Sequence, residues 1–437
     1  MHSRSLSEWL MRLEQLHPSE IDLGLARVQK AATRLNISPI ARKVITVAGT
    51  NGKGSTIALL TQILTAAGYR VGCYTSPHIQ TYNERVLIDG KLVSDQDLCA
   101  AFEQIDDARG DISLTYFEFG TLAALILFAQ ANLDVAILEV GLGGRLDAVN
   151  IVDPDISVLT TVAMDHQAWL GDTREKIGYE KAGIFRANVP AVCGHVNVPD
   201  SVVAYADDIS APLICMGKDF GYEMITEAEN EASFTCWGLM KSPGNTNGNG
   251  RGDKYRYDGL AMPSLPVMNA ATAVQAVHLL DLTITKNAIN QGLQACLTGR
   301  YQKITRGYRI ILDVAHNPEA AMYLNSKLSK ETVRGKVHAL LGVLADKESD
   351  KIIRALAPVI DSWAVARLET PRSQNVETIQ QQILVETGKE AVTYNSVAEA
   401  FSEIDSQLAN DDLLVVFGSF YTVNAALDWL DTQIREL

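Results

Sequence analysis

The sequence predicts an α/β protein of two domains, each built on a doubly wound, mostly parallel sheet. The chain has 437 residues, more than the roughly 250 to 300 at which a single hydrophobic core usually stops growing. From Lys43 onward short β-branched runs alternate with helical patterns, and the alternation starts again after Arg300. Such alternation is typical of parallel βαβ units, so each part of the chain is expected to form its own sheet.

The N-terminal domain is predicted to start with an amphipathic surface helix in Met1–His17. Short apolar runs then indicate strands, and stretches of helical period indicate helices. In chain order these are the strand Val44–Val47, the helix Ser55–Ala67, the strand Val71–Tyr74, the buried helix Phe119–Leu133, and the strands Val135–Leu138 and Ile156–Val162. The stretch Lys241–Asp258, rich in Asn, Gly and charged residues, predicts an exposed hairpin or loop insertion.

The C-terminal domain is predicted to be smaller and Rossmann-like, because strands and helices alternate again in a shorter stretch of chain. Its predicted strands are Arg309–Leu312, Val337–Val343, Trp363–Ala366 and Leu413–Phe417, with helices from Pro318, Ser349 and Val423. We place the domain boundary near Thr298. The predicted domains are therefore residues 1–297 and 298–437.

Composition excludes several classes of protein. The net charge of −14 argues against general nucleic-acid binding, which needs clustered Lys and Arg. Met1–His17 lacks the uninterrupted apolar run of a signal peptide, and Phe119–Leu133 is shorter than the about 20 apolar residues that span a bilayer. The six cysteines occur singly, without a CxxC pair, which fits reduced thiols. We expect a cytoplasmic protein that binds neither nucleic acid nor membrane.

The segment Gly49-Thr50-Asn51-Gly52-Lys53-Gly54-Ser55 follows an apolar strand and opens a helix. Glycines allow close backbone approach, the first N–H groups of a helix face an anion, and a lysine adds a point charge. This layout predicts a phosphate-binding loop and a P-loop-type N-terminal domain, with a ligand-free glycine turn as the alternative. Its spacing departs from GxxxxGK[ST], because Gly54 separates Lys53 from Ser55.

Polar residues follow four predicted strands, and in a doubly wound sheet such positions meet at one edge. They are the phosphate loop, Thr75–His78, Glu139 and Asp165–His166. Mg²⁺ prefers oxygen ligands, so Ser76, Glu139 and a hydroxyl of Ser55 or Thr56 are candidates. Each of two candidates also has an alternative interpretation. Glu139 would be a surface carboxylate at a strand end, and His166 would be a helix-capping or hydrogen-bonding histidine.

Four other candidate positions also have purely structural interpretations. Thr115–Glu118 has the spacing of a capping box. Lys181 lies on a helix with Thr173 as its N-cap, and most helical lysines are solvated. The structural interpretation of Asn269 is a helix N-cap. For Asp313 together with Asn317-Pro318 it is a cap between a strand and a helix.

The loop GTNGKGS resembles the ATP loop of the Mur ligase and folylpolyglutamate synthase superfamily, whose members form amide bonds. Other segments resemble those of the dihydrofolate synthase and folylpolyglutamate synthase family across nearly the whole chain. They are Asp22–Leu25, Ser76–His78, Asn83–Val86, Tyr116–Glu118, Ile137–Asp147, Glu180–Arg186, Asp313–Pro318 and Phe417–Ser419. Val149 replaces a threonine often found in the family, so the role of that side chain is not carried over.

The resemblance implies a set of residues for each ligand. ATP would be bound by Thr50, Asn51, Gly52, Lys53, Gly54, Ser55, Asn269, Arg300 and Asp313. Mg²⁺ would be bound by Ser55, Ser76, Glu139 and His166. The pterin or folate would be bound by Asp22, Leu23, Gly24, Leu25, Thr115, Tyr116, Phe117, Glu118, Leu146, Asp147 and Ala148. Catalysis would involve Lys53, His316 and Lys181, the last carbamylated as in Mur-type ligases.

The implied reaction is ATP-dependent amide formation through an acyl phosphate, which the amine of L-glutamate attacks. Dihydropteroate and reduced folates would be the other substrates, and ATP, two Mg²⁺ ions and a monovalent cation the cofactors. Residues 1–297 would carry the ATP and pterin or folate sites and residues 298–437 the glutamate side, with ATP between the domains. The enzyme is expected to be a monomer.

The segments Asp22–Leu25 and Leu114–Glu118 resemble those of the bifunctional members of the family, and this resemblance implies an enzyme that makes dihydrofolate as well as folylpolyglutamates. The alternatives are a monofunctional folylpolyglutamate synthase, a Mur-type peptide ligase, a P-loop hydrolase or switch, and a non-catalytic folate-binding protein. A Mur ligase is disfavoured, because only 48 residues precede Gly49, where Mur ligases carry a nucleotide-sugar domain. The residues that bind glutamate cannot be named from the sequence.

Overall fold

The computed structural model describes residues 4–37, 39–225, 232–241 and 253–435. The chain forms two compact units, the first comprising residues 1–78 and 82–296 and the second residues 79–81 and 297–437. Each unit is an α/β structure with its own large sheet. Among the described helices, none combines the length and the apolar character needed to cross a membrane.

The first unit begins with two helices that precede its sheet. Its helices are α1 (Leu6–Leu16), α2 (Ala26–Leu35), α3 (Lys53–Ala66), α4 (Asp95–Arg109), α5 (Tyr116–Ala131), α6 (Gln167–Leu170), α7 (Arg174–Ala182), α8 (Asp200–Asp208), α9 (Val267–Leu279) and α10 (Lys286–Gly292). Its strands are β1 (Lys43–Ala48), β2 (Val71–Tyr74), β3 (Val86–Ile88), β4 (Lys91–Leu92), β5 (Val135–Glu139), β6 (Ile156–Leu159), β7 (Ala191–Cys193), β8 (Leu213–Cys215), β9 (Gly221–Ile225), β10 (Ser233–Leu239) and β11 (Lys254–Ala261).

Eight of these strands form one sheet in the order β4-β3-β2-β5-β1-β6-β7-β8. The strands from β2 to β8 in this order pair in parallel, whereas β3 and β4 add an antiparallel edge. The central strands are buried along most of their length, as expected for a parallel sheet covered by helices on both faces. The carboxyl ends of β2, β5, β1 and β6 therefore lie side by side at one edge.

The predicted N-terminal elements are present, with some different ends. The strand Val71–Tyr74 is confirmed, and α5 starts at Tyr116 rather than Phe119 because Thr115 caps it. The strand predicted for Ile156–Val162 is too long, since β6 ends at Leu159. The next residues leave the sheet because the hydroxyls of Thr160 and Thr161 bond to the backbone of Asn51.

The strands β9, β10 and β11 form a separate antiparallel sheet in the order β11-β10-β9. Leu239 of β10 pairs with Lys254 of β11, so the segment between them connects two antiparallel strands. Part of the predicted insertion Lys241–Asp258 is thus strand, because β11 begins at Lys254. Residues 242–252 of that prediction lie outside the described residues.

The second unit is built on a six-stranded sheet with the order β12-β13-β17-β14-β15-β16. Its strands are β12 (Gln302–Arg306), β13 (Tyr308–Asp313), β14 (Val337–Leu341), β15 (Ser362–Ala366), β16 (Ala391–Tyr394) and β17 (Leu413–Phe417). Its helices are α11 (Pro318–Leu328), α12 (Ser349–Leu356), α13 (Val376–Thr387), α14 (Val397–Asp405) and α15 (Phe420–Arg435). Two clusters of buried apolar residues lie within this unit.

All pairs in this sheet are parallel except β12 with β13. The strand Leu413–Phe417 is confirmed, whereas the predicted Val337–Val343 is too long by two residues, since β14 ends at Leu341. The last helix begins at Phe420, three residues before the predicted Val423. The Ser419 hydroxyl, which accepts the N–H of Thr422 at 3.0 Å, explains this earlier start.

Candidate active site

The loop between β1 and α3 is built around two glycines. Gly49 and Gly52 have φ angles of 151° and 87°, which L side chains rarely adopt. A Cβ atom on Gly49 would lie 1.8 Å from Oγ1 of Thr160. Glycine is thus needed here for both backbone conformation and close packing. The first N–H groups of α3 have no partner within the helix, which makes this loop suited to an anion.

Two threonines after β6 hold this loop in place. The hydroxyl of Thr160 donates to the carbonyl of Asn51 at 2.7 Å, and Oγ1 of Thr161 accepts the N–H of Asn51 at 3.0 Å. The N–H of Thr50 donates to the carbonyl of Thr161 at 2.8 Å. Oγ1 of Thr50 accepts the N–H of Ala163 at 3.1 Å. The loop between β1 and α3 and the segment that follows β6 are therefore joined by a network of hydrogen bonds.

Two lysines meet at this loop. Nζ of Lys53 donates to the carbonyl of Gly49 at 3.0 Å, and Nζ of Lys181, from α7, donates to the same oxygen at 3.1 Å. Lys181 is only 5% exposed, so it is not the solvated surface lysine of the structural alternative. Burial and, secondly, the charge of Lys53 lower the pKa of Lys181 to about 7. A large part of its amine is therefore neutral at neutral pH.

Ser76 and Glu139 lie together at the ends of neighbouring strands. Glu139, the last residue of β5, is 4% exposed and accepts the N–H of Ser76 at 3.0 Å. Glu139 is thus not a surface carboxylate. Among the described residues no three His, Cys, Asp or Glu side chains group as a metal site. One carboxylate plus hydroxyls still fits Mg²⁺, which keeps several waters and binds substrate phosphates.

His166 follows β6 and has a left-handed backbone, with φ of 49°. It occupies the N-cap position of α6, but its side chain makes no capping hydrogen bond. Its N–H donates to the carboxylate of Asp165 at 2.8 Å. The helix-capping interpretation of His166 is therefore wrong, and its ring is partly exposed beside an acidic neighbour.

Asn269 is buried at the third position of α9, which starts at Val267. It is consequently not the N-cap, a position taken by Pro266. Its side chain packs against the phosphate loop, because a Cβ atom on Gly52 would lie 2.8 Å from Oδ1 of Asn269. The structure thus brings a residue more than 200 positions away to the loop.

The predicted pterin or folate residues Asp22 and Glu118 are joined by an arginine. Arg27, on α2, donates to Oδ2 of Asp22 at 2.6 Å and to Oε1 of Glu118 at 3.3 Å. The predicted capping box is confirmed, since Glu118 accepts the N–H of Thr115 and the Thr115 hydroxyl accepts that of Glu118. Leu23, Gly24 and Leu25 lie between Asp22 and α2, and a Cβ atom on Gly24 would meet no described atom within 4 Å.

The third predicted pterin segment, Leu146–Ala148, is organised by Asp147. Its carboxylate is buried and accepts the N–H groups of Leu142 at 2.8 Å and Val149 at 3.0 Å. Burial raises its pKa to about 7, against the lowering effect of these hydrogen bonds. Phe117 packs on the same loop, since a Cβ atom on Gly141 would lie 2.6 Å from its ring.

In the second unit, Arg300, Asp313 and His316 lie at the end of β13 near Phe420. Asp313 accepts the N–H groups of Tyr301 and Ala315, both at 2.8 Å. The predicted strand-to-helix cap is present, but Asn317 forms it: its side chain accepts the N–H of Ala320 at 3.0 Å, and Pro318 opens α11. Its pKa is raised by burial and lowered in part by Arg300. The guanidinium of Arg300 lies 5.0 Å from the centre of the Phe420 ring. Nδ1 of His316 donates to the carbonyl of Val314 at 2.7 Å, which makes Nε2 the acceptor in the neutral ring.

Several residues that organise the site escape sequence reasoning. Thr160 and Thr161 contact Asn51, about 110 positions away, and Arg27 contacts Glu118, about 90 positions away, as well as the nearby Asp22. Phe420 has no motif of its own beyond following Gly418-Ser419. The available signal was the strand-end position of the two threonines, where ligand-binding loops gather.

Comparison with known proteins connects both units to one family. Residues 47–242 match the Mur ligase middle domain, and residues 299–420 match the glutamate ligase domain of Mur ligases. The chain is 43% identical over 429 residues to the dihydrofolate synthase/folylpolyglutamate synthase of Escherichia coli K12, covering 98% of this chain and 96% of that protein.

Solved structures agree with these sequence matches. Escherichia coli FolC in complex with DHPP and ADP has a TM-score of 0.90, 42% identity and 99% coverage of both chains. A bifunctional folylpolyglutamate synthase/dihydrofolate synthase with Mn, AMPPNP and L-glutamate bound has a TM-score of 0.87, 42% identity and 98% coverage of both chains. The chain therefore belongs to the Mur ligase family and, within it, to the dihydrofolate synthase/folylpolyglutamate synthases.

Proposed function

We propose that this protein uses ATP to join L-glutamate to dihydropteroate, giving dihydrofolate, and to reduced folates, giving folylpolyglutamates. Relatives of high identity carry both activities in their names, and solved relatives hold ADP, AMPPNP, DHPP or L-glutamate. The observation that carries the proposal is the convergence of Lys53 and Lys181 on the carbonyl of Gly49. A glycine loop with two lysines at the start of a helix suits a polyphosphate that is about to lose its terminal phosphoryl group.

The reaction has two steps. A carboxylate oxygen of the folate-type substrate attacks the γ-phosphorus of ATP, the bond to the β-phosphate oxygen breaks, and ADP leaves. The amine of glutamate then attacks the carbonyl carbon of the acyl phosphate, phosphate leaves with the electron pair, and the amine loses a proton. Positioning and charge neutralisation supply most of the catalysis, and Lys53 contributes the fixed positive charge.

Two Mg²⁺ ions and a monovalent cation complete the proposed site. Ser55, Ser76, Glu139 and His166 would hold Mg²⁺, which neutralises charge on the phosphates when bound. The position of Glu139 next to Ser76 supports this assignment, because a carboxylate and a hydroxyl at neighbouring strand ends are oxygen donors of the kind that Mg²⁺ prefers.

Lys181 is proposed to act as a carbamate. A neutral amine reacts with CO₂, and the lowered pKa of Lys181, about 7, keeps part of the amine neutral under neutral conditions. The carbamate would replace a cation with anionic oxygens beside Lys53. Its formation is testable by ¹³C-bicarbonate labelling, in which a carbamate signal absent from Lys181→Ala is expected.

The remaining ligands follow the family assignment. Residues 1–297 would hold the nucleotide and, through Asp22–Leu25, Thr115–Glu118 and Leu146–Ala148, the pterin or folate. Residues 298–437 would serve the glutamate side. Thr50 to Ser55, Asn269, Arg300 and Asp313 would contact ATP, and His316 would take part in catalysis. The protein would act as a monomer in the cytoplasm, where its six free cysteines would stay reduced.

The decisive experiment measures product formation from dihydropteroate and from tetrahydrofolate separately, each with ATP, Mg²⁺ and L-glutamate. We expect glutamylated product and stoichiometric phosphate in both cases. Product from tetrahydrofolate alone would leave a monofunctional folylpolyglutamate synthase. Phosphate release that needs neither carboxylate nor amine would indicate a P-loop hydrolase instead.

Variants of two lysines connect the activity to the loop. Lys53→Ala should lose most activity, because the phosphate loop loses its point charge. Lys176→Ala is the matched control, since Lys176 lies on α7 with Lys181 but pairs with Asp172 at the surface. Equal activity of the two variants would contradict the proposal.

A further inference from the structure

Arg85 is a buried arginine beside the candidate site. It is 8% exposed and ends the short 3-10 helix Tyr82–Arg85, which leads into β3. Its carbonyl accepts the N–H of Thr75 at 2.9 Å, which attaches it to the loop that contains Ser76. An arginine stays protonated in proteins, so this position carries a full positive charge in the interior.

The surroundings of Arg85 are aromatic. Its guanidinium lies 5.2 Å from the centre of the Tyr82 ring and 5.4 Å from that of Tyr116. Nε donates to Nδ1 of His78 at 2.9 Å. Its side chain is also hydrogen-bonded to that of Tyr74. Among the residues that the structure describes, the groups acting most strongly on Arg85 are these tyrosines and include no Asp or Glu. The partners of the guanidinium are therefore three tyrosines and a neutral imidazole nitrogen, and none of them carries a negative charge.

These partners offset only part of the free-energy cost of burying the charge of Arg85. Removing a charge from water has a large free-energy cost, which an ion pair normally offsets. Aromatic rings within about 6 Å return only part of it. Arg109 shows the usual solution in the same unit, because it lies 6.0 Å from the Phe119 ring but also donates to Asp106 at 2.9 Å. A buried arginine without a carboxylate suits an anion that arrives with a ligand.

The position of Arg85 identifies that anion. Arg85 contacts Tyr116, which belongs to the segment Thr115–Glu118 assigned to the pterin or folate. It also contacts His78, which lies two residues after the proposed Mg²⁺ ligand Ser76. We propose that Arg85 pairs with the carboxylate of the aminobenzoate-type substrate, the group that is phosphorylated. This proposal rests on the proposed function and adds a substrate-binding residue to it.

A thermodynamic cycle tests the pairing without turnover. Dihydropteroate and its carboxamide are titrated, without ATP or glutamate, into the wild-type protein and into Arg85→Gln, and Kd is measured by fluorescence. The wild-type protein should bind the acid at least about tenfold more tightly than the amide, as a charge-assisted hydrogen bond requires. In Arg85→Gln this ratio should fall to near one, and in Arg85→Lys it should be intermediate.

Two controls separate pairing from structure. Arg109→Gln removes an arginine that also lies over a ring but has its own carboxylate, so the acid-to-amide ratio should remain that of the wild type. ADP affinity should be unchanged in Arg85→Gln, whereas a fall would assign Arg85 to a phosphate and overturn the proposal.

The comparison of acid and amide binding to the wild-type protein tests the proposal even if Arg85→Gln does not fold. Equal wild-type affinity for acid and amide would overturn the role of Arg85 while leaving the proposed function intact. An unchanged ratio in a folded Arg85→Gln would do the same, and would assign Arg85 a structural role only. A wild-type protein that binds neither compound would instead overturn the proposed function.

Discussion

The burial of Lys181 affects both the stability of the folded protein and the reactivity of the lysine amine. Its ammonium is buried on α7, donates to the carbonyl of Gly49, and lies close enough to Lys53 for the two charges to repel. Burial of a charge without a full partner lowers the stability of the folded state. The arrangement is therefore explained by reactivity and not by stability, as is common at active sites.

Replacing Lys181 with Met should stabilise the protein while it removes activity. The pKa of Lys181 falls from 10.5 to about 7 on folding, so between these values the unfolded state binds more protons. The free energy of unfolding therefore rises with pH across this window. In Lys181→Met that rise should disappear, with a gain at pH 7 on the order of 2 kcal/mol after loss of the hydrogen bond to Gly49.

Urea unfolding between pH 6.5 and 9.5, in buffer purged of CO₂, measures this effect. Lys176→Met provides the control, since Lys176 is exposed on the same helix and should leave both stability and its pH dependence nearly unchanged. A wild-type stability that is flat over this pH range would show that Lys181 keeps an ordinary pKa.

At the scale of elements, the start of α5 serves structure and site together. Thr115 and Glu118 form a capping box that satisfies N–H groups at the first turn of this buried helix. Glu118 also accepts from Arg27, which in turn holds Asp22. The cap thus fixes the first turn of α5 relative to the loop before α2.

Thr115→Val should therefore affect both stability and substrate binding. Loss of the side-chain cap should lower the free energy of unfolding by about 1 kcal/mol. The Km for dihydropteroate should rise, because Glu118 loses its fixed position. Ser94→Ala removes the corresponding capping box of α4, formed with Asp97 at the surface, and serves as the control. It should show a similar loss of stability and an unchanged Km; equal Km changes would contradict a role for the α5 cap in binding.

The order and type of the elements follow from hydrophobic pattern, but several of their ends depend on distant contacts. Val71–Tyr74 is bounded by local signals and is predicted in full. The end of β6 is predicted wrongly. Thr160 and Thr161 are good strand formers, but they leave the sheet because their hydroxyls bond to Asn51. Similarly, the start of α9 at Val267 makes Asn269 a buried contact of Gly52, which no local cap signal indicates.

At the scale of the whole molecule, strand topology explains why the candidate site could be assembled from sequence. Parallel pairing of β2, β5, β1 and β6 places their carboxyl ends at one edge, so Ser76, Glu139 and the phosphate loop are neighbours by topology. Arg27 and Arg85 cannot be found in this way, because their roles depend on the side chains around them: two carboxylates for Arg27, and tyrosines and an imidazole for Arg85. A net charge of −14 makes such local cations necessary for anionic ligands.

The second unit should fold on its own. Its six-stranded sheet is covered on both faces by apolar clusters drawn almost entirely from residues 297–437, a length typical of independent domains. A fragment of residues 297–437 should therefore give a cooperative urea transition and near-UV circular dichroism of packed aromatic rings. Leu340→Ala, in the middle of β14 and fully buried, should lower its stability by about 2–5 kcal/mol, while Val385→Ala, exposed on α13, should change it little. A fragment with secondary structure but no cooperative transition would show that this sheet needs the rest of the chain to pack.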